Sequence, residues 1–272
     1  MRVFLKFAMV LPVLFYSHLG VAEEEGIKDN SFLIEEAYNQ EAGVIQFIQG
    51  YQYSELTKEW TYTFTNEFPV PNETHQLSYA LPMVKKTGTN GSADEKGLGD
   101  VALNYRFQAV HTEKLAMAPR ISLILPTGDY KKGLGSGATG IQVNQTLSVI
   151  VNPSFSHHWN AGMTYTPNAQ NAAGEKASLV GFNFGMSGIY SITQQTNFLC
   201  EFAFNNNEAV VTTNQKSSSS TYLIVPGLRS AFKAGNNTEV VPGIAAILGF
   251  GQSAIEHDRG VFIYFSVESK LW

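Results

Sequence analysis

The chain has 272 residues, 15% of them charged and 44% hydrophobic, with 24 glycines and a formal net charge of -5 at pH 7. The acidic balance, with no basic run, excludes nucleic acid as a partner. The single cysteine, Cys200, excludes an internal disulfide and a cysteine-built metal framework, and no motif calls for a cofactor.

The chain starts like an export signal. Arg2 and Lys6 form a basic start, residues 7–16 an apolar run, and Gly20-Val21-Ala22 a small-residue cleavage site. Cleavage is expected after Ala22, so residues 1–22 are read as a signal peptide. Beyond it no stretch supplies the roughly 20 apolar residues of a membrane-spanning helix. Residues 23–43 form a polar, acidic lead-in, in which a short helix is expected over 31–38, carrying Phe32, Leu33, Ile34 and Tyr38.

From residue 44 to 272 the pattern changes to period-two alternation, which places successive side chains on opposite faces of a strand. Twelve strands are predicted: 44–53, 59–70, 75–85, 99–110, 115–126, 141–151, 155–166, 178–192, 197–205, 221–233, 239–250 and 260–272. The second has Trp60, Tyr62, Phe64 and Phe68 on one face and Thr61, Thr63 and Thr65 on the other. The sixth sets Ile141, Val143, Leu147 and Val149 against Gln142, Asn144, Thr146 and Ser148. In the seventh and ninth, His158 and Glu201 stand across from greasy rows. The tenth and eleventh are less regular, because Pro226 and Pro242 each remove a ladder donor.

The gaps between these runs alternate. Short ones (71–74, 111–114, 152–154, 193–196 and 234–237) separate longer ones (86–97, 127–139, 167–176, 206–219 and 251–259), and only 54–58 breaks the rhythm. Short turns on one rim and longer loops on the other are the mark of an up-and-down barrel in a bacterial outer membrane. The expected fold is therefore all-β, a transmembrane antiparallel barrel of about twelve strands over 44–272. Residues 23–43 would hang in the periplasm or enter the lumen as a plug.

Several stretches resemble a known family: SFLIEEAYNQEAGVIQ (31–46), THQLSY (74–79), GLGDVALNYRF (97–107), APRISLILPTGD (118–129) and GLGSGATGIQVN (133–144). They are similar to bacterial outer-membrane proteins labelled transporter or phenol meta-cleavage (MetA) pathway protein. That resemblance implies an outer-membrane channel passing a small solute, and its label suggests an aromatic or hydrophobic one.

The residues themselves offer these candidates. Arg106, Arg120, His158, Glu201 and Glu268, with Lys270, should face the lumen, where opposed charges set a field that sorts solutes, or else pair across strands in a packed interior. Phe32, Leu33, Ile34 and Tyr38 are the plug candidates. His157 and His158, with Ser154 and Ser156 nearby, invite a hydrolase reading, but neighbours on a strand point to opposite faces and cannot share a site. The glycine-rich 133–140 lacks the Gly-Lys-Ser/Thr ending of a phosphate loop and reads as a flexible external loop. Lys131 and Lys132 beside it are candidates for contact with lipopolysaccharide. Trp60, Tyr62, Tyr79, Tyr105, Trp159, Tyr165, Tyr190, Tyr264 and Trp272 should populate interfacial girdles. Trp272 also resembles the terminal aromatic read by the barrel-assembly machinery, although it falls one residue out of phase. The rival readings are a structural barrel with a closed, packed lumen and, less favoured, a barrel lipid hydrolase.

Overall fold

A computed structural model describes residues 31–88, 93–251 and 259–271. The expected cleavage site and Trp272 lie outside them. Alternating side chains and short turns bring consecutive runs side by side as antiparallel strands: β1 (Val44–Ser54), β2 (Trp60–Pro69), β3 (His75–Lys86), β4 (Glu95–Leu98, Val101–Phe107 and Val110–His111), β5 (Leu115–Leu125) and β6 (Gly140–Asn152). They continue as β7 (Phe155–Gln170), β8 (Lys176–Ser191), β9 (Thr196–Thr212), β10 (Gln215–Ser230 and Phe232–Lys233), β11 (Thr238–Gly249) and β12 (Arg259–Lys270). Each pairs with the next, and β1 pairs with β12 from Val44↔Lys270 to Ser54↔Gly260. The result is a closed twelve-stranded barrel.

The barrel is inside-out relative to a water-soluble one. Leu103, Ile121, Ile141, Val143, Phe182 and Ile263 stand exposed on the outer surface, whereas Gln46, Gln76, Arg106, Thr146, Ser148 and Glu201 are buried within. A lipid-facing wall needs the first set outside, and full closure leaves no strand edge unpaired in hydrocarbon. Cys200 also faces outward and is exposed.

The inner wall has two characters. On β3 to β7 it is mostly polar, but on β9 to β12 it also carries apolar side chains, with Leu199, Leu223, Val225, Ile247, Phe262 and Tyr264 buried inside beside Asn197, Glu201, Arg229 and Ser266. Tyr264 is therefore not a girdle residue: it is 2% exposed and its ring meets that of Phe32.

Three differences from the sequence reading have physical causes. Residues 206–219 are not a loop but the end of a hairpin. β9 runs to Thr212, β10 starts at Gln215, and Asn214 turns the corner with φ +62°. A hairpin standing in water needs no apolar row, so its polar sequence looked like a loop. Second, β4 is broken: its ladder with β5 slips between Arg106↔Arg120 and Val110↔Met117, beside Pro119, which has no N–H to give. Third, the glycine-rich loop is tied down, because the Asp100 carboxylate accepts Gly128 N–H at 3.0 Å and both the N–H and hydroxyl of Ser136 at 2.7 Å. Lys132 beside it pairs with Glu95 at 3.2 Å.

In the less regular strands that carry the prolines, Pro226 lies opposite Cys200 and Pro242 opposite Phe265. Between β10 and β11 the ladder is interrupted from Ile224↔Leu248 to Gly227↔Ala245, the span that contains Pro226.

Candidate functional site

Residues 31–43 rise from the short-turn rim into the lumen. No helix forms over 31–38. The reason lies in where the peptide groups find partners: buried N–H and C=O groups must be paired, and here the wall pairs them. Glu201 on β9 accepts Phe32 N–H and Leu33 N–H, one on each carboxylate oxygen, both at 2.8 Å. Asn160 on β7 accepts Glu35 N–H at 2.9 Å and donates to Glu35 C=O at 3.0 Å. Gln108 accepts Asn39 N–H at 2.7 Å and donates to Ala37 C=O at 2.8 Å. Gln76 on β3 accepts Gln40 N–H at 2.8 Å. A helix would bury these groups against one another and strand the wall's side chains.

Arg106, 3% exposed, spends its guanidinium on the same segment. It donates to Asn39 Oδ1 at 2.8 Å, Glu36 C=O at 3.0 Å and Tyr38 C=O at 2.7 Å. Arg120 bonds the Glu35 carboxylate at 2.8 Å and also donates to Asn104 and Gln142 at 2.9 Å. So Arg106, Arg120 and Glu201 neither stand free in water nor pair with each other across strands. They hold the segment.

His158 joins them indirectly: its Nδ1 is 2.7 Å from the Ser148 hydroxyl, which accepts Ala37 N–H at 2.7 Å. His157 lies on the opposite, outer face and accepts Trp159 Nε1–H at 2.7 Å. Glu268 is half-buried near the rim, opposite Gln46 and Glu239, and Lys270 is exposed.

The apolar plug candidates meet the apolar half of the wall. Phe32 packs against Phe262 and Tyr264 at ring-centroid distances of 5.9 and 6.1 Å. Its seat is made by missing side chains: a Cβ on Gly227 or Gly243 would stand 2.5 or 2.8 Å from the Phe32 ring, and one on Gly185 would collide with Ile34 Cδ1. Leu33 is partly buried against the same cluster. Tyr38 lies across the lumen with Ala37, Ala116 and Ala118, edge-on to His111, and its burial raises the phenol pKa above the usual value.

Sequence reading missed Gln76, Gln108, Ser148 and Asn160 as partners of the segment, along with the three glycines. Part of the signal was present, because Ser148, Asn160 and the glycines are polar or missing side chains within strands, in phase with the inner face, whereas Gln76 sits at the start of β3 and Gln108 in the break of β4.

Beyond the segment, toward the long-loop rim, the described residues line two cavities. One of about 310 Å³ lies between Phe32, Phe262 and Tyr264 and the threonines of β2. The other, of about 170 Å³, lies along β6 to β9. Leu33, Glu35 and Arg120 line both, so the Glu35–Arg120 ion pair forms the partition.

A closed barrel with an apolar exterior and an occupied polar interior defines a membrane-spanning β-barrel. No protein-family model matches the chain and no curated protein matches it. Among solved structures it is similar to the COG4313 outer membrane channel from Pseudomonas putida F1, with a TM-score of 0.67 at 12% identity over 85% of this chain and 97% of that one. It is also similar to the NanC porin, with a TM-score of 0.53 at 8% identity over 83% of this chain and 100% of that one. At these identities the likeness shows the fold.

Proposed function

We propose that this protein is a passive outer-membrane channel for a small solute, closed in the state described by residues 31–43. The observation that carries this reading is the division of the lumen. The short-turn half is filled by a segment held through hydrogen bonds, while the long-loop half keeps open, lined space. A purely structural barrel has no use for cavities beside a removable segment. Export with cleavage after Ala22, recognition of the terminal aromatic Trp272 by the barrel-assembly machinery, and contact of the loop rim with lipopolysaccharide belong to the same proposal.

The hydrolase reading finds no support in the Ser148–His158 pair. Ser148 is fully buried beneath the segment and its oxygen is occupied by Ala37 N–H, which leaves no place for a substrate carbonyl. The aromatic solute suggested by the family resemblance gains nothing from the inner wall of β3 to β7, which is lined by amides and hydroxyls.

The test is single-channel conductance of the protein lacking residues 23–40 beside the full chain. Conductance should rise on deletion; an unchanged trace sinks the plug reading and favours the closed structural barrel. A second variant keeps the chain whole. Ser31→Cys with Ser187→Cys exploits two hydroxyls 2.8 Å apart, and oxidation should lock the channel shut until a reductant is added.

A further inference from the structure

Antiparallel register places two rows of inward-facing residues across four neighbouring strands. Asn144, Gly162, Asn183 and Asn205 form one row, and Gln142, Thr164, Gly181 and Asn207 the next toward the long-loop rim. The glycines let the carboxamides lie against the wall: a Cβ on Gly162 would stand 2.6 Å from Asn183 Oδ1 and 2.7 Å from Asn144 Oδ1, and one on Gly181 3.0 Å from Asn207 Oδ1. Some of this hydrogen-bonding capacity is used internally. Asn183 donates to Asn144 at 3.2 Å and Gln142 donates to Thr164 at 2.9 Å. The side chains of Asn205 and Asn207 line the cavity, and among the described residues neither carboxamide is engaged in a hydrogen bond.

A carboxamide offers a donor and an acceptor about 2 Å apart and carries no charge. That is the complement of a hydroxyl group, which also donates and accepts. A panel of such groups returns the hydrogen bonds that a hydroxylated solute loses with its water, whereas a hydrocarbon would leave them unpaired at a cost. Across the Glu35–Arg120 partition the larger cavity adds the hydroxyls of Thr61, Thr63 and Thr65 and the rings of Phe262 and Tyr264. Ring faces suit the apolar C–H side of a cyclic sugar. Among the described residues the one cation lining these cavities, Arg120, is already neutralised by Glu35, so their lining does not select for an anion.

We propose that the carboxamide panel binds a neutral polyhydroxylated solute, a pyranose or an open-chain polyol. It deepens the channel reading by naming a solute class, and the binding itself is tested without conduction. Saturation-transfer NMR on the full chain in detergent micelles, with glucose and sorbitol as probes and phenol and benzoate as controls, measures it directly. Glucose and sorbitol should show transfer that weakens in Asn205→Ala/Asn207→Ala, with affinity falling about fivefold for each carboxamide that loses a neutral hydrogen bond. The controls should give the same signal in both proteins. Because those two side chains hold nothing else in the barrel, their loss leaves the strands in place. Equal glucose transfer in wild type and variant, or transfer to phenol that alone responds to the variant, overturns the proposal. If glucose binds as expected but neither the full nor the truncated chain conducts, the channel reading fails and the binding site stands.

Discussion

At the scale of the residue, Glu201 carries the most consequence. Its carboxylate receives two backbone N–H groups at the head of the segment, and charge-assisted bonds of this kind contribute about 2 kcal/mol each. Glu201→Ala should shift the closed equilibrium by roughly thirtyfold for one such bond lost, seen as faster amide hydrogen exchange over residues 32–36 and more frequent channel opening. Gly185→Val attacks the same equilibrium sterically. The added atoms meet the flexible end of Ile34 first, so the barrel should persist while the segment is displaced, and open-channel events should increase. Retained closure in Gly185→Val would mean that Ile34 is not a wedge. These roles were only half legible in the chain. Glu201 was identifiable as an inward charge from its phase, but its partners lie 169 and 168 residues away, and no local pattern encodes such a pairing.

At the scale of the element, the strands were readable where they face lipid, because a hydrocarbon surroundings enforces strict alternation on one face. Readability fails where that constraint ends. β7 to β10 run to 16 or 17 residues, whereas a tilted crossing needs about 9–11, so these hairpins extend past the membrane into water. There, side-chain bonds replace the lipid pattern: Asn206 donates to Ser218 and Ser220, and Lys216 pairs with Glu208 at 2.7 Å. The expected sidedness gives a direct check. An epitope inserted between Thr213 and Asn214 should be reached by antibody on intact cells, and one inserted between Pro153 and Ser154 only after the outer membrane is opened. The reverse labelling would invert the assigned orientation. The helix expected over 31–38 failed for a different reason. Its apolar residues are spaced for two unlike walls, with Phe32 and Ile34 on the apolar side and Tyr38 on the alanine side, and not for one helical face.

At the scale of the whole molecule, closure removes every unpaired strand edge, so unfolding must open all twelve seams together. The unheated protein should therefore migrate in dodecyl sulfate gels as a compact species and shift only on boiling; identical mobility before and after heating would argue against a closed barrel. The weakest seam is expected between β10 and β11, where the ladder is interrupted beside Pro226. The pairing of β1 with β12 also has a consequence in time. The wall that grips residues 31–43 does not exist until the last strand has been made and joined to the first, so this segment, synthesised before any strand, is the last to settle. Folding must run against the order of synthesis: the segment made first is the last to be gripped. Kinetics followed at the segment, for instance through a probe at Ser31, should lag behind those of the strands.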